Sequence, residues 1–213
     1  KNLRVNSDIN LLELNAENKE IKEIFPELEK EIKFKNHKIN LIYNKKIIDI
    51  SGSGDFFVKN KKDQIKYEIL KNKDSLDFKT YLEIKNNKFK INFLNYDKDD
   101  NSNLQLSIKG TKDLKKNILF DEIFLNEKEN NIKIKNLLLK DNFSLIKFKS
   151  IYLNYLDNEK IKNKISIIKQ NDNYILNGIS LNLNKIIKDV LGNEKKNQKL
   201  FNQDFKIDID IEK

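Results

Sequence analysis

Few residue types in this chain can do site chemistry. Its 213 residues include one histidine, His37, and no cysteine, which excludes disulfides, thiol nucleophiles and Cys/His zinc sites. A Ser/His/Asp triad would have to run through His37. Its neighbours Asn36 and Lys38 place it in an expected hairpin turn, facing water. Carboxylate pairs recur, among them Asp99/Asp100 and Asp208/Asp210, and such pairs can act as acid and base. Asp208, Asp210 and Glu212 alternate with Ile207, Ile209 and Ile211, however, so they read as the solvated half of a strand. Asp97, Asp99 and Asn101 have the first three ligand spacings of an EF-hand loop. Ser102 then stands where the turn needs Gly and Ile108 where a bidentate Glu belongs, so a hairpin turn is expected instead. Ser51-Gly52-Ser53-Gly54 lacks the Lys-Ser/Thr of a P-loop and the second half of a dinucleotide fingerprint, and no helical pattern follows it. No catalytic residue, metal site or cofactor is expected.

Composition narrows the partners. Lys, Asn and Ile contribute 41, 33 and 31 residues, against a single Arg (Arg4) and a single Pro (Pro26). All three share A/T-rich codons, so the net charge of +9 reads first as genome bias. Lysines are spread over the polar positions and interleaved with acids, and the arginine that bidentate recognition would use is nearly absent. Nucleic acid is therefore not an expected partner, although a diffuse positive field would also suit an anionic membrane surface. No apolar run approaches the roughly 18–20 residues of a membrane-spanning helix. The chain starts at Lys1 rather than Met and reads as a segment of a longer protein, with any membrane anchor outside it.

The elements that would position a site are strands. Apolar residues recur at every second position, the pattern of a strand with one buried face. The runs include Ile32/Phe34, Ile39/Leu41/Tyr43, Phe78/Thr80/Leu82/Ile84, Phe89/Ile91/Phe93, Leu104/Leu106/Ile108, Ile132/Ile134, Ile165/Ile167, Ile179/Leu181/Leu183 and Phe205/Ile207/Ile209/Ile211. Polar clusters separate them, as in an antiparallel meander. Gly52, Gly54 and Gly178 are expected to mark bulges. Residues 114–125 are ambiguous and lean towards strand. Two stretches break the alternation. A short helix is expected near 16–25, from Ile21, Ile24, Phe25 and Leu28, and a second near 185–191, from Ile186, Ile187, Val190 and Leu191. A mobile loop is expected at 193–199. Residues 1–213 read as one mainly β segment: a long antiparallel meander forming a curled sheet, apolar on one face, as a groove or an open barrel or sandwich.

Each large aliphatic side chain left in water forgoes roughly 1.5–3 kcal/mol, so the apolar face must be covered. Two short helices are too few to do it. The cover is a second sheet, closure of the sheet on itself, the rest of a parent protein, or an apolar ligand. Sheet-on-sheet packing ranks first on sequence alone.

The order of features supplies a further expectation. The segment Ile24-Phe25-Pro26-Glu27-Leu28 is followed by the meander, then by Gly178-Ile179-Ser180-Leu181-Asn182-Leu183-Asn184-Lys185-Ile186-Ile187-Lys188-Asp189-Val190-Leu191, a polar loop and the strand from Phe205 to Ile211. This resembles the AsmA-like superfamily, in its YhdP-like branch, where a motif of the type G-x-x-L-D-x-x-P-L-L-x-x-L precedes such a loop and strand. Asn182 or Asn184 stands here where Asp is usual, and Lys185 where Pro is common. The resemblance implies a periplasmic protein of a Gram-negative envelope, tethered to the inner membrane by an anchor outside this segment. It also implies transfer of phospholipid towards the outer membrane, with acyl chains shielded in an apolar β-groove. The lining positions expected on this reading are Leu104, Leu106, Ile108, Ile132, Ile134, Ile165, Ile167, Leu181, Leu183, Phe205, Ile207 and Ile209. A ligand-free β-sandwich or barrel, serving as a structural or interaction module, stays open beside it.

Overall fold

The computed structural model describes residues 4–17, 20–113, 117–171, 173–182, 184 and 207–211. Strands dominate: β1 (Arg4–Glu17), β2 (Glu31–Asn44), β3 (Ile47–Val58), β4 (Lys61–Lys71), β5 (Ser75–Ile84), β6 (Lys90–Ile91), β7 (Tyr96–Asp97), β8 (Leu104–Asp113), β9 (Asn117–Glu127), β10 (Asn130–Lys140), β11 (Leu145–Lys147), β12 (Ser150–Leu156), β13 (Lys162–Gln170), β14 (Asn173–Ser180) and β15 (Ile207–Ile211). All but β6 and β7 form one 13-stranded sheet, in the order β1-β2-β3-β4-β5-β8-β9-β10-β12-β13-β14-β15, with β11 paired to β10. Each neighbour pair is antiparallel except β14 with β15, which is parallel. The first and last strands do not meet, so the sheet is not a closed barrel.

Short connections explain the meander. β2 turns into β3 through Lys45 and Lys46, both with positive φ, and Lys59 and Lys128 take the same conformation in the next tight turns. Antiparallel neighbours joined by two residues need such backbone angles, because they match the twist of the flanking strands.

Several expectations need correction. The region near 16–25 is not a helix. β1 runs through Ala16 and Glu17, and only a 3-10 turn at Glu20–Glu23 precedes Pro26. The apolar spacing instead serves a compact turn that buries Phe25 and Leu28 and leaves Ile24 exposed, with Phe25 N–H donating to Ile21 O at 2.8 Å and Leu28 N–H to Phe25 O at 3.0 Å. The helix expected near 185–191 and the loop at 193–199 lie outside the described residues. The other 3-10 turn is Asn92–Leu94. Phe89, Ile91 and Phe93 are not a strand of the main sheet. They belong to an excursion, 85–103, that leaves β5 and returns as β8, carrying the two-residue hairpin β6–β7. Sheet-on-sheet packing is not the cover: that hairpin is the whole of the second sheet among the described residues.

His37 is likewise not a turn residue. Residues 31–44 form one strand, and Lys35 pairs with Asp55 while Lys38 pairs with Ser53, so Asn36 and His37 together oppose Gly54 in a bulge. Asn36 takes φ 56°, which reverses the alternation and turns the His37 ring inward. The ring packs so tightly over Gly54 that a Cβ there would lie 2.3 Å from His37 Cδ2. Gly178 also borders a register shift, as expected, and 117–127 is a strand, as leaned towards. Gly52 sits in unbroken register beneath the Tyr67 ring.

Candidate functional site: the apolar face of the sheet

Register determines which side chains share a face. Leu82, Leu106, Leu125, Ile132, Leu153 and Ile165 are joined in one row across β5, β8, β9, β10, β12 and β13. Ile108, Ile123, Ile134, Ile151 and Ile167 form the next row. These rows make the apolar face expected from the alternation.

The face has two zones. At the end holding the starts of β2, β4, β8, β10 and β13, two connecting segments lie over it. Phe25 and Leu28 of one, and Phe89 and Tyr96 of the other, form a single buried cluster with Ile32, Phe56, Val58, Ile84, Leu104, Leu125, Ile132, Tyr155 and Ile165. Phe25 meets the Phe56 and Phe89 rings edge-on at 5.8 and 5.7 Å, and Tyr96 meets Tyr155 at 6.0 Å. Leu104 and Tyr96 are 0 % exposed. Beyond these segments the same face stays partly open. Ile39, Ile69, Phe78, Ile134 and Ile167 are half-buried, and the edge strand β1 leaves Val5, Ile9 and Leu14 exposed.

Eight of the twelve expected lining positions are placed by burial. Leu104, Leu106, Ile132 and Ile165 lie in the covered zone, where protein atoms already shield them. Ile108, Ile134, Ile167 and Leu181 are half-buried at its margin. Ile207 and Ile209 have their backbones opposite Tyr174 and Leu176, which continues the row by register. Leu183 and Phe205 fall outside the described residues.

Buried polar groups attach the covering excursion to the sheet. Asp63 of β4 accepts from the Lys85 and Asn86 amides at 2.8 Å each, from the Asn87 amide at 3.0 Å, and from the Asn86 and Asn87 side chains at 3.3 and 2.7 Å. Glu127 of β9 accepts from the Tyr96 hydroxyl at 2.5 Å, the Asp99 amide at 2.8 Å, the Ser102 hydroxyl and the Asn130 side chain. Burial, and then the hydrogen bond to the Glu127 carboxylate, hold the Tyr96 hydroxyl well above the usual tyrosine range. Lys98 is buried within the excursion and donates to Lys85 O and Asp99 O, both at 3.0 Å. Burial pulls its ammonium below the ordinary lysine value, against the pull of Glu127 and Asp63.

These carboxylates gave no signal in the sequence. Asp63 and Glu127 sit in Lys-rich polar clusters like dozens of solvated residues. In the sequence His37 stands out only as a triad candidate, and its surroundings are structural: Nε2–H donates to the Asp55 carbonyl at 3.0 Å, and Nδ1 lies 3.2 Å from the Tyr67 hydroxyl. Asp99 begins a turn and pairs with Lys128 at 2.8 Å, which holds its carboxyl below the usual range. Among the described residues no three His, Cys, Asp or Glu side chains are grouped to hold a metal ion, and no helix is long and apolar enough to cross a membrane.

The opposite face is polar and carries a depression of about 900 Å³ across six strands. Its rim sets Lys38, Lys66 and Lys79 against Asp8, Glu68 and Glu83, with Lys79 and Glu68 paired at 3.2 Å. Opposite charges in equal number leave no concentrated field for an anionic polymer. Comparison with family models, curated proteins and solved structures finds no match to this chain.

Proposed function

We infer that this chain is a lipid-binding and transport segment of an AsmA/YhdP-like periplasmic protein, tethered to the inner membrane outside this segment, which shields phospholipid acyl chains on their way to the outer membrane. The carrying observation is an apolar face that runs across a single sheet and, among the described residues, is closed over by one buried cluster at one end, while towards the other Ile39, Ile69, Phe78, Ile134 and Ile167 stay half-open and Phe148 packs over Tyr174. An acyl chain is a suitable cover for the other end. It needs no hydrogen-bond partner, and rows of Ile, Leu and Phe without polar anchors would let it slide where a hydrogen-bonded pocket would hold it. The face offers binding rather than catalysis.

The competing reading is a ligand-free structural or interaction module. The tightly packed zone around Leu104 and Tyr96 favours it locally, because protein atoms suffice there. One experiment separates the two. Protein purified from cells is analysed for bound lipid by mass spectrometry, alongside Ile134→Glu, Ile167→Glu and Leu104→Glu. The lipid reading expects lipid on the wild type, lost without loss of strand circular dichroism at Ile134 and Ile167, whereas Leu104→Glu unfolds. A well-folded wild type carrying no lipid above background would sink it.

A further inference from the structure

The excursion 85–103 is inserted at a point where its removal would leave the sheet intact. β5 and β8 pair directly from Ser75 with Asp113 to Ile84 with Leu104, so the excursion departs and returns at adjacent residues. Its own base is stapled. Lys98 ties Lys85 O to Asp99 O, and Lys98 N–H donates to Phe89 O at 2.9 Å. A segment whose base is closed by its own bonds can move as one body.

Its attachments elsewhere combine two buried rings, Phe89 and Tyr96, with a set of polar bonds. Five hydrogen bonds run from Lys85, Asn86 and Asn87 to Asp63, and three from Tyr96, Asp99 and Ser102 to Glu127. At the far rim, Asn158 N–H donates to Asn95 O at 2.8 Å and the Tyr155 hydroxyl to Leu94 O at 2.8 Å. Water can take over these polar bonds when the segment opens, so that the Phe89 and Tyr96 contacts are what opening must give up. Beneath the excursion lie Ile84, Leu104, Leu125 and Ile132, in line with the open rows.

We propose that residues 85–103 form a lid, latched by the Asp63 and Glu127 carboxylates, whose opening joins the covered end of the apolar face to the open end and admits an acyl chain there. The proposal rests on the lipid-binding reading above.

Two measurements test it. Hydrogen–deuterium exchange on the wild type should show the amides of Asn87, Lys90 and Asp99, which donate outside the lid to Asp63, to Ile24 O at 2.9 Å and to Glu127, exchanging at least tenfold faster than the paired amides of β5 and β8. Equal rates would overturn the lid. The chain has no native cysteine, so Asn95→Cys with Asn158→Cys can lock the rim without competing thiols. Association of the fluorescent acyl probe cis-parinaric acid should slow at least tenfold in the oxidised variant and recover on reduction, while Glu127→Gln, which weakens the latch, should speed it. Probe binding unchanged by oxidation overturns the lid and leaves the lipid reading standing. A wild type that binds no probe overturns both, whereas unequal exchange would still show an independently opening segment.

Discussion

At the residue scale, the buried hydroxyls and the close-packed glycines carry the sharpest consequences. Burial raises the Tyr96 and Tyr155 hydroxyls above the ordinary tyrosine value of 10.0. The folded state therefore keeps protons that the unfolded chain loses, and the associated stability is present below about pH 10 and lost as pH rises above it. Tyr155→Phe should cost about 0.5–1.5 kcal/mol at neutral pH, for the lost bond to Leu94 O, and should flatten the alkaline fall. Urea titrations at pH 7 and pH 10.5 measure both effects. Gly54→Ala should cost about 1–3 kcal/mol, because the new Cβ meets the His37 ring and that ring is held at both nitrogens. Thermal melts check this, and a melting temperature at the wild-type value would show that the ring moves freely.

The elements are long strands with irregularities at defined places. Lys109 pairs with Glu122 but Gly110 with Phe120, so Asp121 is an extra residue in β9. A Cβ at Gly110 would lie 2.3 Å from the Leu119 carbonyl oxygen. At Gly52 the nearest atoms are the far end of the Tyr67 ring, at 2.6 Å. A ring tip can swing aside and a paired strand cannot. Gly110→Ala is therefore expected to destabilise more than Gly52→Ala, and parallel chemical denaturation of the two variants decides the order. These irregularities also show why element boundaries were only partly legible. Alternation in β2 changes phase at Asn36, and a phase change looks like a turn when only residue types are known. β1 is an edge strand among the described residues and less regularly apolar, so its alternation is weak in the sequence. Within the excursion, residues 89–93 read as a strand because Phe89, Ile91 and Phe93 alternate, yet Phe89 is buried and Phe93 exposed in a loop that crosses the sheet.

For the whole molecule, the decisive quantity is how much of one continuous apolar face the protein itself covers. A natively folded protein that leaves rows of Ile, Leu and Phe half-open should bind 1-anilinonaphthalene-8-sulfonate without unfolding, and long-chain phospholipid should displace the dye. Dye fluorescence appearing only in partly denatured samples would instead indicate a closed core. Surface charge has a smaller role. Pairs such as Lys35–Glu13 at 2.8 Å and Lys59–Glu29 at 2.9 Å are exposed, and water screens contacts of this kind so that they add little to stability. Raising the salt concentration should leave the melting temperature nearly unchanged.

Period-two placement of Ile, Leu and Phe was enough by itself to specify strands, an antiparallel meander and a single apolar face, because side-chain direction along a strand is a local property of the backbone. It could not specify what lies over that face. The cover comes from Phe25 and Leu28 on one connecting segment and from Phe89 and Tyr96 on the excursion that Asp63 and Glu127 hold, through hydrogen bonds that span 22 to 31 residues. A carboxylate that anchors a loop and one that faces water are the same residue type in the same kind of polar cluster. Only the tertiary structure distinguishes them, by removing one from solvent and surrounding it with donors.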